Sequence, residues 1–533
     1  MEVDCIPYRK TGYFSPLICD YLDQHPKLKP FYHRFPTLEN FKDQLEEKSN
    51  NFSDSQRGLL VEQLQHQYEG LTISQLTSEN IDSLSKNSTF TIITGHQLNL
   101  FTGPLYFLYK IISTINLCET LRKAYPKNDF VPVYWMASED HDFDEINYFN
   151  FQGAKIQWSR PEGGAVGQMD TDGLADVGDI FSTRLGASDN AKKIYELFTS
   201  AYNDLPNLSD ATRYLANALF GEYGLVVIDG DDAGLKKSFI PYIKKDVFEQ
   251  LPFQNVSASA ERLSLISKEY RIQVNPREIN YFYLKKGIRE RIVRRGDDFT
   301  VNNTEINFTK AQLEKELENH PERFSPNVIA RPLYQEAILP NLCYIGGGGE
   351  LAYWLELKDY FQAMGITFPL LFLRNSALVM TQKQAGKVER LDISLEDIFL
   401  KQEELIQKKI KKISDITIDF SPQKKLLEDQ FVQLYDLAEK TDQSFLGAVK
   451  AQETKQKNCL DTLEKRLLKA QKRKFDDHVV RLTALQNLLF PNSSLQERQL
   501  NFSELYLEYG EDLIPRLKKV LQPLKLSFSI LRN

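Results

Sequence analysis

The chain is 533 residues long, 42% hydrophobic and 26% charged, enough apolar material to bury a large core in two or three structural units. Its formal net charge of -7 is spread along the length, so no basic face suited to nucleic acid or anionic lipid stands out. No stretch reaches the roughly 20 apolar residues of a membrane-spanning helix, and MEVDCIPYRKTGYF lacks the order of a signal peptide, so a cytoplasmic location is expected.

Cys5, Cys19, Cys118, Cys343 and Cys459 never form a CxxC pair. This argues against a disulfide framework or a zinc knuckle, and for reduced, mostly buried thiols.

In chain order, the first clear element is Thr89 to Ile93, a short β-branched run read as a buried strand ending in Thr94-Gly95-His96-Gln97. Pro104 to Tyr125 reads as a helix, with Leu105, Leu108, Ile112, Ile115 and Leu121 spaced along one face. DFVPVYWMAS is extended again. Strand, helix and strand make a βαβ unit, which places the two strands parallel and their carboxyl ends at one edge. That edge is where open α/β sheets bind ligands. GLVVID, ending at Asp229, and FPLLFLR, ending at Arg374, are further strand candidates for the same sheet.

Between about 150 and 211 the chain turns polar and Gly-rich, which reads as an excursion or lid over the sheet edge without a core of its own. Past Gln382 the composition shifts to Leu, Lys, Glu and Gln. Leu427, Phe431, Leu434, Ala438, Thr441, Phe445 and Ala448 then follow steps of three and four, a heptad seam. A second series through Cys459, Leu463, Leu467 and Ala470 breaks phase near Lys474. An antiparallel helical hairpin turning near Thr441 to Ser444 is favoured, with one unbroken long helix containing Gly447 as the alternative, and pairing is open between one chain and a dimer.

Four segments can carry chemistry. Gly95, His96 and Gln97 lie just before a helix start, where backbone N–H groups hold anions and a His can donate or shuttle a proton; a tight turn with a satisfied His is the plain alternative. SEDHDFDE, from Ser138 to Glu145, crowds five carboxylates and a His behind a buried strand, so some carboxyls should be raised in pKa or face a cation. A solvated helix N-terminus explains it more blandly. With seven His in the chain, ligands for a metal are short and none is expected, save Mg with a nucleotide.

The four glycines Gly346 to Gly349 imply a backbone that must move freely or come close to a ligand, opening a helix at about Glu350 to Lys358. Arg331 is available for a carboxylate or phosphate; a flexible loop with a surface salt bridge to Glu350 is the alternative. VNPREINYFYLKKGIRERIVRRG reads as a strand-turn-strand with a solvated basic face, or as a surface for a nucleotide phosphate.

Together TGHQLNLFTGPLY, VPVYWMASEDHDFDEIN, FSPNVIARPLYQEAILP, YIGGGGELAYWLELK and the late PNSSLQERQLNF resemble the successive signature blocks of the BshC family of bacillithiol biosynthesis, in order and over nearly the whole chain. The resemblance implies an α/β fold: a Rossmann-like parallel-sheet core with insertions, plus a C-terminal α-helical antiparallel coiled coil used for homodimerisation. The units expected are residues 1–382 with the insertion at about 150–211, 383–490, and 491–533 returning to the core. The implied activity is a cysteine ligase that joins L-cysteine to the glucosamine amine of glucosaminyl-malate. Amide formation needs an activated carboxylate, so ATP is the expected cosubstrate. Asp140, His141 and Asp142 are then the catalytic candidates. Gly95, His96, Gln97, Ser138, Glu139, Arg331, Gly347, Gly348 and Glu350 are the substrate-binding ones. The first block reads GHQ where GQQ is expected in many relatives, which ranks His96 as a binder. An adenylyl- or nucleotidyl-transfer enzyme acting on another small acid, and a non-enzymatic coiled-coil scaffold, are the alternative readings.

Overall fold

The computed structural model describes residues 2–161 and 163–532. The chain divides into two compact units. One joins the N-terminal residues up to Arg9 with Tyr13–Val379 and Leu495–Leu531, and the other is essentially Met380–Ser494.

The first unit is built around β1 (Thr89–His96), α1 (Tyr106–Ala124), β2 (Asp129–Met136), β3 (Val226–Asp229), α2 (Ala233–Glu249), β4 (Tyr281–Lys285), β5 (Ile288–Arg295), β6 (Asn341–Gly346), α3 (Gly348–Trp354) and β7 (Leu370–Leu373). Its central sheet is parallel, in the order β7-β6-β1-β2-β3. Every residue of β1 is buried, as expected for a parallel sheet covered on both faces. Ile92, Leu117, Phe130, Ile345 and Phe372 share one core cluster, so the βαβ unit packs its helix onto the strands that flank it. The register levels the carboxyl ends: His96 lies beside Met136, Met136 beside Asp229, and Thr94 beside Ile345.

The basic stretch forms the antiparallel pair β4 and β5 in a second sheet, turning at Gly287, whose φ of +74° suits the left-handed region. The excursion expected to lack a core has one. Phe149, Phe151, Phe181 and Phe198 pack edge to face or tilted against one another, and Phe101 joins them. Moreover, Val166 N–H donates to the Asp140 carbonyl and Gly167 N–H to the Ser138 carbonyl, both at 2.8 Å. The segment is therefore hydrogen-bonded onto the acidic loop rather than laid loosely over it.

The four glycines also differ from expectation. Gly346 ends β6, Gly347 caps α3, and Gly348 and Gly349 lie in its first turn, so the helix starts before Glu350. None of the four has a positive φ. The requirement at Gly346 is closeness, since a Cβ there would sit 2.9 Å from the Tyr344 ring and 3.1 Å from Glu350.

The second unit contains α4 (Ser421–Ala438), α5 (Gln443–Lys474) and α6 (Asp476–Leu489). The first two form an antiparallel hairpin within one chain, tied by Lys424 to Asp461 and Glu464 and by Lys457 to Glu428. The break near Lys474 falls at Phe475 between α5 and α6. The seam is shifted from the heptad reading: Phe431, Ala438 and Val449 are buried with Leu427 and Tyr435 against them, while Leu434, Phe445 and Leu463 stay exposed. Tyr435 occupies a seam position because its hydroxyl donates to Glu453 at 2.6 Å, a route open to an aromatic with a polar tip.

Cys19, Cys118 and Cys343 are buried, while Cys5 and Cys459 are exposed. Among the described residues, no helix is long and apolar enough to cross a membrane.

Candidate functional site

The carboxyl ends of β1, β2 and β6 border a cleft of about 720 Å³, within the range that small-molecule ligands occupy. Gly95, His96 and Gln97 line it from β1, Ser138 to His141 from the loop after β2, and Gly347 and Glu350 from the start of α3, with Arg331 alongside. Asp142 and Gly348 are not among its lining residues, which corrects their expected place. Asp142 is an exposed residue ahead of the short helix Phe143–Ile146, and Gly348 points its Cβ position at Ile18 and Phe14, away from the cleft.

Burial lowers the His96 pKa to about 3, and the ammonium of Lys110 adds to the effect. His96 is thus a neutral ring at ordinary pH, and its buried Nε2 has no hydrogen-bond partner. It is therefore suited to donate or accept a hydrogen bond and poorly suited to shuttle a proton. Gly95 lets its neighbours come close, because a Cβ there would stand 3.4 Å from the Tyr344 hydroxyl and 3.8 Å from the Arg331 guanidinium.

The acidic loop divides its carboxyls between two environments. Asp140 Oδ1 accepts from the His141 backbone at 2.8 Å and Oδ2 from Gln97 Nε2 at 3.1 Å. Although its burial pushes the other way, the His141 ring beside it, the bond from Gln97, the nearby Arg289 and the His141 backbone hold its carboxyl well below the usual range. Glu139 is 8% exposed and faces Lys236 Nζ at 2.6 Å. Here burial outweighs the cation and raises the carboxyl to about 7. His141 Nδ1 lies 2.6 Å from Arg289 Nη1, and a guanidinium only donates, so the ring proton belongs on Nε2. Arg289 stacks on Phe282 with 4.1 Å to the ring centre.

The other wall is cationic, and most of it was not singled out in the sequence. Arg331 donates to Gln335 at 2.9 Å and to the Tyr353 hydroxyl at 3.2 Å. It makes no ion pair with Glu350, so the alternative of a loop closed by that salt bridge does not hold. Glu350 instead meets Lys110 Nζ at 2.6 Å and accepts from the Tyr344 hydroxyl at 2.6 Å and the Gly347 N–H at 2.7 Å, which together lower its carboxyl to about 2 despite burial.

Arg374, 3% exposed, ion-pairs with fully buried Glu497 at 2.7 Å, yet its Nε has no partner and stands 3.8 Å from the Cβ position of Gly347. Arg498 lines the cleft, exposed and without an ion pair among the described residues. Both guanidiniums lie over the Tyr106 ring, at 4.9 and 5.9 Å. One signal could have found Arg374, which ends the FPLLFLR strand at the ligand-binding edge. Lys110 was hidden inside the apolar stripe of α1.

Residues 1–375 match the family description "Bacillithiol biosynthesis BshC, N-terminal Rossmann-like domain", and residues 377–533 match "Bacillithiol biosynthesis BshC, C-terminal coiled-coil domain". Three relatives carry the name "Putative cysteine ligase BshC". That of Flavobacterium johnsoniae is 57% identical over 531 residues, covering 100% of both chains. That of Christiangramia forsetii is 56% identical, covering 100% of this chain and 99% of its own. That of Cytophaga hutchinsonii is 39% identical over 98% of this chain and 97% of its own. With family matches that together span nearly every residue, and relatives alike from end to end, the chain belongs to the BshC family of bacillithiol biosynthesis.

Proposed function

We propose that the chain is a carbon–nitrogen ligase that joins L-cysteine to the glucosamine amine of glucosaminyl-malate, forming bacillithiol. The observation that carries this reading is the polarity of the cleft. One part of its lining presents Glu139 and Asp140, and another presents Arg331, Arg374 and Arg498. A substrate that fits both has an amine for the carboxylates and carboxylates for the guanidiniums, as an amino sugar bearing malate does. The names of the relatives agree with it.

Carboxylate and ammonium do not condense at neutral pH without a leaving group, so ATP is the proposed activator of the cysteine carboxylate. Arg277 and Arg291 line the cleft without an ion pair among the described residues, which leaves them free for phosphate oxygens. Incubating the full-length protein with cysteine, ATP and glucosaminyl-malate, and omitting each in turn, tests the reading by mass spectrometry. A product with the mass of bacillithiol, dependent on all three, is expected. Product without ATP removes the activator, and pyrophosphate release without cysteine points to another acid as substrate.

A further inference from the structure

Three carboxylates line the cleft, and their oxygens are not equally occupied. Asp140 has both oxygens committed, to the His141 backbone and to Gln97. Glu350 likewise has both committed, to Tyr344 on one side and to Gly347 and Lys110 on the other. Glu139 meets Lys236 through Oε1 as an ion pair at 2.6 Å, with no hydrogen bond accepted at that buried oxygen, and its Oε2 accepts no hydrogen bond and makes no ion pair among the described residues. A carboxylate that must take a proton needs a lone pair free in the cleft, because protonating a committed oxygen sacrifices the bond it accepts.

We infer that Glu139 is the proton acceptor of this cleft and that Lys236, on α2, is its positioning residue; the inference rests on the ligase reading above. Lys236 is 1% exposed and is itself held at three points: Glu139 Oε1 at 2.6 Å, Asp231 Oδ1 at 2.7 Å and the Glu322 carbonyl at 3.0 Å. A buried ammonium anchored in this way holds one oxygen of the Glu139 carboxylate, and Glu139 lines the cleft. The charged and titratable groups facing Glu139 are Lys236 from α2, Asp231 from the loop after β3, Arg289 from β5, Tyr281 from β4 and Tyr334 from the helix Ala330–Ile338. Two cations thus oppose one anion, and burial still leaves the carboxyl near neutrality, where a base exchanges protons most usefully.

In the step assigned, an N–H bond of the substrate ammonium breaks and an O–H bond forms at Glu139 Oε2. The amine keeps its electron pair and becomes a neutral nucleophile, Glu139 becomes a neutral acid, and Lys236 stays protonated. Asp140, with its depressed pKa and its two occupied oxygens, remains an ion that holds Gln97 and the loop.

The experiment measures kcat and KM against pH for the full-length protein and for Glu139→Gln, Glu139→Asp, Asp140→Asn and Lys236→Met, with cysteine, ATP and glucosaminyl-malate supplied. Glu139→Gln is expected to lower kcat by ~100-fold or more with KM changed far less, and Glu139→Asp to restore part of it. Lys236→Met removes a cation, so the acid limb of the profile should move to higher pH, which loss of packing alone would not do. Wild-type kcat in Glu139→Gln, or an acid limb unmoved in a folded Lys236→Met, overturns the inference while the ligase reading stands. If Lys236→Met does not fold, the Gln and Asp variants of Glu139 decide it. A wild type that makes no product under any condition overturns the ligase reading and this inference with it.

Discussion

Lys110 Nζ stands 2.6 Å from Glu350 Oε2 and donates to the Gly95 carbonyl at 2.6 Å, so one ammonium ties the end of β1 to the first turn of α3. The Lys110 side chain is 5% exposed and that of Glu350 27%, so the pair lies between a surface and a buried salt bridge. Glu350→Gln leaves Lys110 without its counter-ion, at a cost on the order of 2–3 kcal/mol. The sign with pH follows from a carboxyl lowered from 4.5 to about 2. Its contribution is full above about pH 4.5 and is lost as pH falls toward 2. Thermal unfolding from pH 3 to 7 should show the gap between wild type and Glu350→Gln narrowing with acid, whereas a constant gap would refute the pairing as its cause.

Asp246, fully buried on α2, has the opposite sign. Its Oδ1 accepts from the Asn280 N–H at 3.0 Å while Oδ2 has no partner, and burial raises the carboxyl from 3.8 to about 7. The neutral form is favoured on folding, so stability from this group is full below about pH 3.8 and is lost as pH rises through 7. Asp246→Asn keeps an acceptor for Asn280 and removes the charge. It should raise the unfolding temperature at pH 8, by an amount corresponding to ~2–4 kcal/mol, and change it little at pH 4.

Glu497 and Arg498 are adjacent but should behave as different kinds of residue. Glu497→Ala strands Arg374 in the core, so a loss of ~3–5 kcal/mol in stability is expected. Arg498→Ala removes an exposed guanidinium from the cleft, and should leave the melting temperature unchanged while weakening glucosaminyl-malate binding about 10- to 100-fold. Isothermal calorimetry and thermal melts on both variants would show the split, and equal binding by Arg498→Ala would remove it from the site.

The helical unit retains apolar side chains that its own hairpin does not cover. Leu426, Val432 and Leu437 on α4 are 64%, 57% and 53% exposed. The homodimer implied by the family resemblance would bury such residues. Sedimentation of the full-length chain is expected to give a dimer, and Leu426→Lys combined with Leu437→Lys a monomer. A monomeric wild type at micromolar concentration would exclude this use of the surface.

Periodicity and composition alone located the strand-helix-strand unit, the ligand-binding edge and the helical hairpin, because apolar spacing along a chain reports local geometry directly. They also placed GHQ and SEDHD at one sheet edge, since parallel strands share an edge, while Glu350 joined them only through the tertiary structure. What they could not supply was the pairing of charges. Lys110 with Glu350, Arg374 with Glu497, and Lys236 with Glu139 each join segments far apart in sequence. The worth of each pair depends on how much water the fold removes around it. For that reason Asp140, His141 and Asp142 read as the catalytic candidates and Glu139 only as a binder, and only tertiary structure showed that both Asp140 oxygens are occupied, that His141 Nδ1 accepts from Arg289, and that Glu139 Oε2 accepts no hydrogen bond among the described residues.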